Sequence, residues 1–232
     1  MKSILLLCSA LTLLMACNND PVKMLEVTGT IKGLKKGVLY LQHLEDETLV
    51  TVDSVAIKQN GNFTLSTSLE SPELFYLYLN KEDNNSLNDR IAFFAEPTTI
   101  TINTTWDAFE RNATITGSTS QKELKEYQRM LSKFNKRSLV MAQSLLQPAT
   151  QNNALLADSL ETAYNNNTKR SFMYALNFAF SHKNSYVAPY IGINEIPEAN
   201  TKLLDSLYSV LPDSVANSKY GKALKKIATA NN

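Results

Sequence analysis

The sequence predicts an α+β fold, in which an N-terminal antiparallel β-sheet or sandwich of about eight strands is followed by a C-terminal helical region. From residue 24 to residue 116, apolar side chains recur with a period close to two, and Gly, Asn and Pro interrupt them at short intervals. After Gly117 the apolar period becomes helical. The composition of the 232 residues, 44% hydrophobic and 19% charged, is typical of a chain that can bury a core.

The strands are predicted from short segments rich in β-branched and aromatic residues. Residues 74–79 are apolar on both faces, as expected of a central strand. An Asn60-Gly61 pair lies between two alternating segments and predicts the tight turn of a hairpin. The other predicted strand segments are residues 38–41, 49–57, 91–95, 100–102 and 113–115.

The first helix is predicted to begin after Gly117. Ser120 and Glu123 form a potential capping box, in which each side chain satisfies one backbone amide of the first turn. An apolar face then continues at helical spacing until Pro148. Its members are Leu124, Tyr127, Leu131, Phe134, Met141 and Leu145.

Three further helices are predicted. The second helix covers residues 153–180, with a weak point at residues 165–167, where three Asn side chains compete for the backbone. Shorter helices are expected over residues 200–211 and 213–228, and Pro212 separates them.

The first 16 residues predict a bacterial lipoprotein signal peptide. Lys2 supplies a positively charged start, and residues 4–14 form an apolar run. This run is shorter than the roughly 20 residues that a transmembrane helix needs. The sequence Leu-Met-Ala-Cys at residues 14–17 resembles a lipobox, in which the cysteine thiol is acylated and a small residue precedes it. An ordinary signal peptide or an N-terminal transmembrane anchor is the alternative interpretation.

Acylation of Cys17 would attach the mature chain to a lipid bilayer. Two acyl chains and an acylated amino group suffice for stable attachment, whereas one chain would be marginal. Residues 17–23 would then form a tether, residues 24–117 a β-rich domain and residues 118–232 an α-helical region. We expect the protein in the cell envelope, at the outer membrane, facing either the periplasm or the cell surface.

Cysteine content and charge exclude several classes of function. Cleavage before Cys17 would remove Cys8, the other of the two cysteines, so the mature chain would hold no free thiol. We therefore expect no cysteine nucleophile, no Cys-x-x-Cys redox pair and no thiolate metal site. The balance of 23 Lys and Arg against 22 Asp and Glu leaves no basic footprint for nucleic acid.

The sequence contains no recognisable catalytic, cofactor or metal-binding motif. His43 and His182 each lack a partner at metal-binding spacing, and we interpret both as surface or hydrogen-bonded side chains. The acidic residues 45–47 are typical of a solvated turn, with a cation site built from oxygen ligands as the alternative. Ser118 lies outside any Gly-x-Ser-x-Gly motif.

Aromatic residues in the predicted strands leave two interpretations open. They could line a carbohydrate-stacking face, but packing in a core is the more common role of such residues. These residues are Phe75, Tyr76, Tyr78, Phe93 and Phe94.

Four Asp-Ser-aliphatic triplets resemble the acceptor motif for protein O-glycosylation in the Bacteroidota envelope. The alternative is that Asp and Ser cap helices, which suits Asp213 well and Asp158 poorly. Glycosylation would affect solubility and turnover rather than activity. The possible acceptors are Ser54, Ser159, Ser206 and Ser214.

Several short motifs occur in a recognisable order. They are VTGTI at 27–31, KGVLYL at 36–41, VDSV at 52–55, NGNF at 60–63, PELFYL at 72–77, ITGS at 115–118, HKNSYV at 182–187 and SKYGK at 218–222. Together they resemble the domain of unknown function 4369 family of Bacteroidota lipoproteins. Each motif is loose, and the order of the motifs carries the resemblance.

The resemblance implies an accessory region, built from a sheet and helices, that usually precedes a thioredoxin-like domain. Here the chain ends at Asn232, where that domain would begin, and no position matches its Cys-x-x-Cys motif. The resemblance therefore implies a stand-alone version of the accessory region, and no redox residue can be transferred to this chain.

Three functions remain open. The first is a non-catalytic envelope lipoprotein that binds an envelope protein or a small ligand. The second is an accessory subunit that acts in trans with a separate thioredoxin-like thiol-disulfide protein. The third is an enzyme whose site is assembled from scattered acids such as Glu70, Glu96 and Asp107. A pocket that holds two of these acids with shifted pKa values would favour the enzyme.

Overall fold

The structure is a computed structural model that describes residues 23–81 and 89–229, so the predicted signal peptide and Cys17 lie outside the described residues. The predicted α+β fold is confirmed, because eight strands precede a helical region. The strands are β1 Met24–Lys32, β2 Gly37–Glu45, β3 Thr48–Ile57, β4 Asn62–Ser68, β5 Glu73–Asn80, β6 Asp89–Ala95, β7 Thr99–Thr105 and β8 Thr114–Thr116.

The strands form two four-stranded sheets that share one core. The first sheet has the strand order β4-β1-β7-β8, and the second has the order β3-β2-β5-β6. Strands β1 and β7 pair in parallel, with Gly29 opposite Ile102, and the other described pairs are antiparallel. An alternating sequence does not reveal the direction of a neighbouring strand, which is why the parallel pair could not be predicted.

The core of the sandwich is built from alternate residues of the two sheets. Leu25 and Val27 of the first sheet and Leu39 and Leu77 of the second are completely buried in it. Burying one such side chain stabilises a fold by roughly 1.5–3 kcal/mol. The alternation that predicted the strands therefore reflects this shared core.

The hairpin predicted at Asn60-Gly61 is wrong, although the turn itself forms. Strands β3 and β4 on either side of it belong to different sheets, and β4 pairs with β1. The backbone φ angle is 29° at Asn60 and 67° at Gly61, as a tight turn of this composition requires. Ile57 before the turn and Phe63 after it are both buried in the sandwich core. The turn therefore carries the chain across the core from one sheet to the other.

A two-residue hairpin turn lies instead at Asp46 and Glu47, between the paired strands β2 and β3. Their φ angles are 43° and 69°. Glutamate rarely adopts a positive φ, so the sequence of this turn carries no hairpin signal. Residues 45–47 are exposed, in agreement with their interpretation as a solvated turn.

The helical region packs on the end of the second sheet. Leu74 of β5 and Phe94 of β6 contribute to a second hydrophobic core, which is otherwise formed by helices. The helices are α1 Thr119–Leu145, α2 Pro148–Gln151, α3 Ala154–Ser181, α4 Val187–Asn194, α5 Thr201–Ser209, α6 Asp213–Ala216 and α7 Lys219–Thr229. Among the described helices, none is both long enough and apolar enough to cross a membrane.

The start of α1 differs from the predicted capping box. Ser118 is the N-cap residue, and its hydroxyl oxygen accepts a hydrogen bond from the Gln121 backbone N–H at 2.9 Å. The Ser120 hydroxyl donates instead to Glu96, and the Glu123 carboxylate accepts a hydrogen bond from Ser185. The capping box is therefore wrong, because both of its members bind residues outside the first turn.

The predicted second helix is confirmed as α3, with Asn153 as its N-cap. The weak point expected at residues 165–167 does not interrupt the helix. Asn167 is buried, and its side-chain amide donates to the Phe134 carbonyl oxygen at 3.0 Å and to the Ser138 hydroxyl oxygen at 2.9 Å. Because this amide joins α3 to α1, it does not compete for the backbone of its own helix.

Two further differences concern short helices. Helices α2 and α4 were not predicted, and the segment predicted as one helix over residues 213–228 is divided into α6 and α7. Ser218 lies at the division. Its hydroxyl donates to the Val215 carbonyl oxygen at 2.6 Å and accepts from the Gly221 N–H at 3.2 Å. These contacts end one helix and start the next.

Replacing Gly61 with Ala should destabilise the protein by more than about 1 kcal/mol, because the native backbone suits glycine and disfavours other residues. A Cβ atom at this position would lie 2.0 Å from the Ile31 carbonyl oxygen. The free energy of unfolding, measured with urea, checks this prediction. Gln59→Ala in the same exposed turn is the control and should change stability by less than about 0.5 kcal/mol. Equal effects of the two substitutions would contradict the role assigned to Gly61.

Candidate functional site

The aromatic residues of the strands divide between the two cores and the outer face of the second sheet. Phe75 and Phe93 are buried in the sandwich core, and Phe94 is buried in the helical core. The core interpretation is therefore confirmed for these three residues. Tyr76 and Tyr78 alternate with Phe75 along β5 and are half-buried on the opposite face.

The end of β6 positions the first helix. The Phe94 backbone N–H donates to the Gln121 side-chain oxygen at 2.7 Å in a buried hydrogen bond. The Glu96 carboxylate accepts from the backbone N–H groups of Thr119 and Ser120, each at 2.9 Å. A carboxylate at a helix N-terminus satisfies unpaired amides and interacts favourably with the helix dipole. Glu96, a candidate catalytic acid in the sequence, therefore serves as a structural cap.

A cleft of about 410 Å³ lies beside this cap, and His182 forms part of its lining. The His182 ring stacks on Phe178 with ring centres 3.8 Å apart, and its Nδ1 atom lies 2.9 Å from the Phe178 carbonyl oxygen. Ser185 donates a hydrogen bond to Glu123 across the same cleft. Glu96, Glu123 and His182, the titratable groups of this cleft's hydrogen-bond network, are thus paired with a serine or with the backbone.

A second cleft, which we call the sheet–helix cleft, has a volume of about 500 Å³ and lies between the second sheet and α7. Glu73 of β5 is its central charged residue, and its side chain is 11% exposed. The carboxylate accepts a hydrogen bond from the Lys219 ammonium group and lies 3.4 Å from Nδ1 of His43. Lys219 also donates to the Leu44 carbonyl oxygen.

The residues next to this ion pair fasten α7 to the sheet. The Lys219 N–H donates to the Ser71 hydroxyl at 3.2 Å, and the Leu74 N–H donates to the Tyr220 hydroxyl at 3.1 Å. The His43 ring stacks on Phe75, with ring centres 5.1 Å apart. The charged groups of the sheet–helix cleft therefore hold the two halves of the fold together.

Half-buried tyrosines surround the junction between the sheet and the helices. Tyr190 and Tyr220 pack edge to face with ring centres 5.2 Å apart, and both contact Phe94. Burial, with a smaller contribution from the Glu195 charge, raises the pKa of Tyr190 to about 12. Burial likewise raises the pKa of Tyr220. Both phenols are neutral at physiological pH and contribute as packed, uncharged side chains.

The three acids proposed for an assembled catalytic site lie in three separate places. Glu70 lines the sheet–helix cleft, Glu96 caps α1, and Asp107 follows β7 on the surface. Hydrogen bonds, of which that from the Thr105 side chain is the strongest, lower the pKa of Asp107. Residues 23–81 and 89–229 contain no group of three or more His, Cys, Asp or Glu side chains suited to a metal ion.

A third cavity, with a volume of about 700 Å³, lies between α1 and α3. We call it the hairpin groove. Its apolar lining consists of Val140, Met141 and Ala163, and its cationic lining consists of Lys133, Lys136, Arg137 and Arg170. Asn166 and Asn167 complete the lining, so no described lining residue is acidic.

The cations of the hairpin groove have no anionic partner in the described part of the chain. Helical spacing explains their clustering, because Lys133, Lys136, Arg137 and Val140 recur at intervals of three or four along α1. Lys169 adds a further cation in an adjoining depression that shares Arg170 with the groove. Like charges at this spacing repel one another weakly, so the groove attracts anions.

O-glycosylation of the four serines and lipidation of Cys17 stay predictions. Ser54, Ser159, Ser206 and Ser214 are all exposed, so each is accessible to an enzyme. The capping alternative does not explain the triplet at Asp213, which lies in the first turn of α6 and makes no capping hydrogen bond. Cys17 lies outside the described residues.

A comparison with protein families matches residues 25–124 to a domain of unknown function, DUF4369. This segment is similar to that family. The family suggested by the order of the motifs is thereby confirmed for this part of the chain. Neither the comparison with curated proteins nor that with solved structures returned a match.

The matched segment covers the strands from Leu25 onward and ends in the second turn of α1, at Leu124. It includes Gln121 and Glu96, whose hydrogen bonds join α1 to β6. Glu73 lies inside the matched segment, but Lys219 and the whole hairpin groove lie beyond it in sequence. The motifs at 182–187 and 218–222 also fall outside the match.

Sequence reasoning did not predict two features of these sites. The pair of Glu73 and Lys219 joins residues 146 positions apart, and no local pattern indicates such a contact. The groove could have been predicted from the sequence, because α1 contains four cations and no acid after Glu126. The net charge of the whole chain, which is nearly balanced, does not reveal this local excess of positive charge.

Glu73→Gln should destabilise the protein by about 1–2 kcal/mol, because it breaks an ion pair whose acidic member is buried. The loss should be smaller than for a fully buried pair, since the Lys219 side chain is 37% exposed. Urea denaturation of this variant, Lys219→Met and the double variant would measure the coupling between the two residues. Glu70→Gln, an exposed acid of the same cleft, is the matched control. Additive effects of the two single variants would contradict the pairing.

Proposed function

We propose that this protein is a lipid-anchored lipoprotein of the bacterial cell envelope whose folded body is a non-catalytic binding module. The proposal of an anchor rests on the sequence of residues 1–17, where a charged start and an apolar run precede a lipobox. The proposal of a binding role rests on the distribution of charged side chains in the described clefts.

The single observation that carries the binding role is the hairpin groove. Four cations surround apolar side chains in a cavity of about 700 Å³, and they have no anionic partner in the described residues. Binding sites for small molecules commonly have volumes of roughly 300–1,000 Å³ and combine apolar lining with a few polar groups. The groove has this combination.

The other clefts favour structural roles for their charged groups. Glu73 is engaged by Lys219 and His43, and Glu96 is engaged by the start of α1. A catalytic acid or base needs a proton that it can exchange with a substrate. Carboxylates that accept hydrogen bonds from a buried cluster or a helix terminus are poorly placed for that task, which supports binding over catalysis.

A second candidate function is that of an accessory subunit acting in trans with a thioredoxin-like protein. The observation that favours it is the DUF4369 match, because the resemblance implies that such regions usually accompany thioredoxin-like domains. In-cell cross-linking of the tagged protein would support this function if a thioredoxin-like lipoprotein were captured. Cross-linking to envelope proteins of other kinds alone would count against it.

Cys17→Ser should abolish fatty acylation, because the thioether to diacylglycerol requires the thiol. Cells fed an alkyne fatty acid should label the wild-type protein and leave Cys17→Ser unlabelled. The variant should also leave the membrane fraction after a high-salt wash. Cys8→Ser, in the predicted signal peptide, is the matched control and should be labelled normally. Labelling of the Cys17→Ser variant would contradict the proposed anchor.

A further inference from the structure

We propose that the hairpin groove binds an anionic amphiphile, a molecule with a single apolar chain and an acidic head group. This inference rests on the proposed function as a binding module and specifies the ligand of that module. Three properties of the groove lead to it: its apolar lining, its cations, which have no anionic partner among the described residues, and the contacts that join its two helices.

The apolar lining provides a surface for a hydrocarbon chain. Val140, near the C-terminal end of α1, is 53% exposed, so its side chain is accessible to a ligand. Met141 and Ala163 line the same cavity from α1 and α3. Covering this surface removes apolar area from water, which favours binding.

The cationic lining specifies the charge of the head group. Lys133, Lys136 and Arg137 project from one helix and Arg170 from the other, so a bound anion is approached from both sides. The guanidinium groups can bind a carboxylate or phosphate with two parallel hydrogen bonds, while each ammonium group acts as a point charge. An acidic head group would relieve repulsion among the cations, whereas a cationic head group would increase it.

Side-chain contacts between α1 and α3 fix the two walls of the groove relative to each other. The buried Asn167 amide donates both of its described hydrogen bonds to groups of α1. The rings of Phe134 and Tyr174 pack across the same helix pair, with centres 5.9 Å apart. A site formed before binding loses little conformational entropy when the ligand enters.

The size of the apolar surface favours a small amphiphile over a partner protein. A stable protein interface buries about 800 Å² on each partner and is usually centred on aromatic or arginine anchors packed in pockets. Among the described lining residues, the apolar ones are Val140, Met141 and Ala163, and none is aromatic. One apolar chain is sufficient to cover these residues, and the surrounding cations would hold its head group.

The test uses the mature chain with the Cys17→Ser substitution, which carries no acyl chain and therefore needs no detergent. The ligand is the fluorescent probe dansyl-undecanoic acid. Its methyl ester has the same chain without the charge. We expect the acid to bind with enhanced dansyl emission and the ester to bind at least about tenfold more weakly, since tenfold corresponds to about 1.4 kcal/mol. Loss of charge-assisted hydrogen bonds accounts for an effect of this size.

Two charge-reversal variants locate the site. Lys136→Glu with Arg137→Glu should weaken binding of the acid by at least about tenfold. Lys122→Glu with Lys125→Glu, on exposed positions of the same helix outside the groove, should change it by less than about twofold. Val140→Asn should weaken the binding of the acid and of the ester equally, because both molecules contact the apolar lining. Circular dichroism and urea midpoints confirm that each variant folds.

Each contrary outcome has a distinct meaning. If the acid and the ester bound equally well and Val140→Asn weakened the binding of both, the anionic specificity would be wrong. The proposed role as a binding module would then still stand. Stronger competition by polyglutamate than by unlabelled undecanoic acid would show that an acidic protein segment is the better ligand. Binding confined to vesicles containing phosphatidylglycerol would identify a membrane surface instead of a single amphiphile. Failure of the acid, the ester, polyglutamate and the vesicles to bind would overturn both the inference and the binding role of the groove.

Discussion

The end of strand β6 holds the sandwich and the helical region together, because neighbouring residues there belong to different cores. Phe93 is buried between the sheets, and Phe94 is buried among the helices. The Phe94 backbone N–H is satisfied by Gln121 of α1, and Glu96 binds the first amides of the same helix. The direction of α1, and with it the position of the hairpin groove, depends on these contacts.

The charged residues of the sheet–helix cleft and those of the hairpin groove differ in whether they have a structural partner. Glu73, His43 and Lys219 form a cluster that fastens α7 to the second sheet, at a site far from α1 in sequence. The cations of the hairpin groove have no such structural partner among the described residues. A charge without a structural partner is available to a ligand, and this contrast connects the architecture to the proposed binding role.

Much of the fold could be predicted from the sequence, because burial imposes a period on each element. The alternation of Leu25, Val27 and Ile31 predicts a strand, and the helical spacing of Leu124, Tyr127 and Leu131 predicts α1. The pairing of strands could not be predicted in the same way. The Asn60-Gly61 turn has the composition of a hairpin, yet it crosses between sheets, because both flanking segments face one core.

The site was less predictable than the fold, for a physical reason. Contacts such as those of Glu73 with Lys219 and of Gln121 with Phe94 join distant segments, and their residue types are common on any surface. The buried Asn167 was expected to weaken α3 and instead binds α1. In each case the sequence indicates a polar residue, and the tertiary structure determines whether it caps, pairs or binds.

Photo-crosslinking would locate the binding site and measure its dependence on charge in one experiment. A fatty acid with a diazirine on its chain would be irradiated with the mature Cys17→Ser chain, and the labelled peptides would be identified by mass spectrometry. We expect labelling concentrated in residues 133–141 and 163–170, which contain the lining of the hairpin groove. The Lys136→Glu, Arg137→Glu variant should lose this labelling. Labelling concentrated in the sheet–helix cleft, or unchanged by the charge reversal, would show that the hairpin groove is not the binding site.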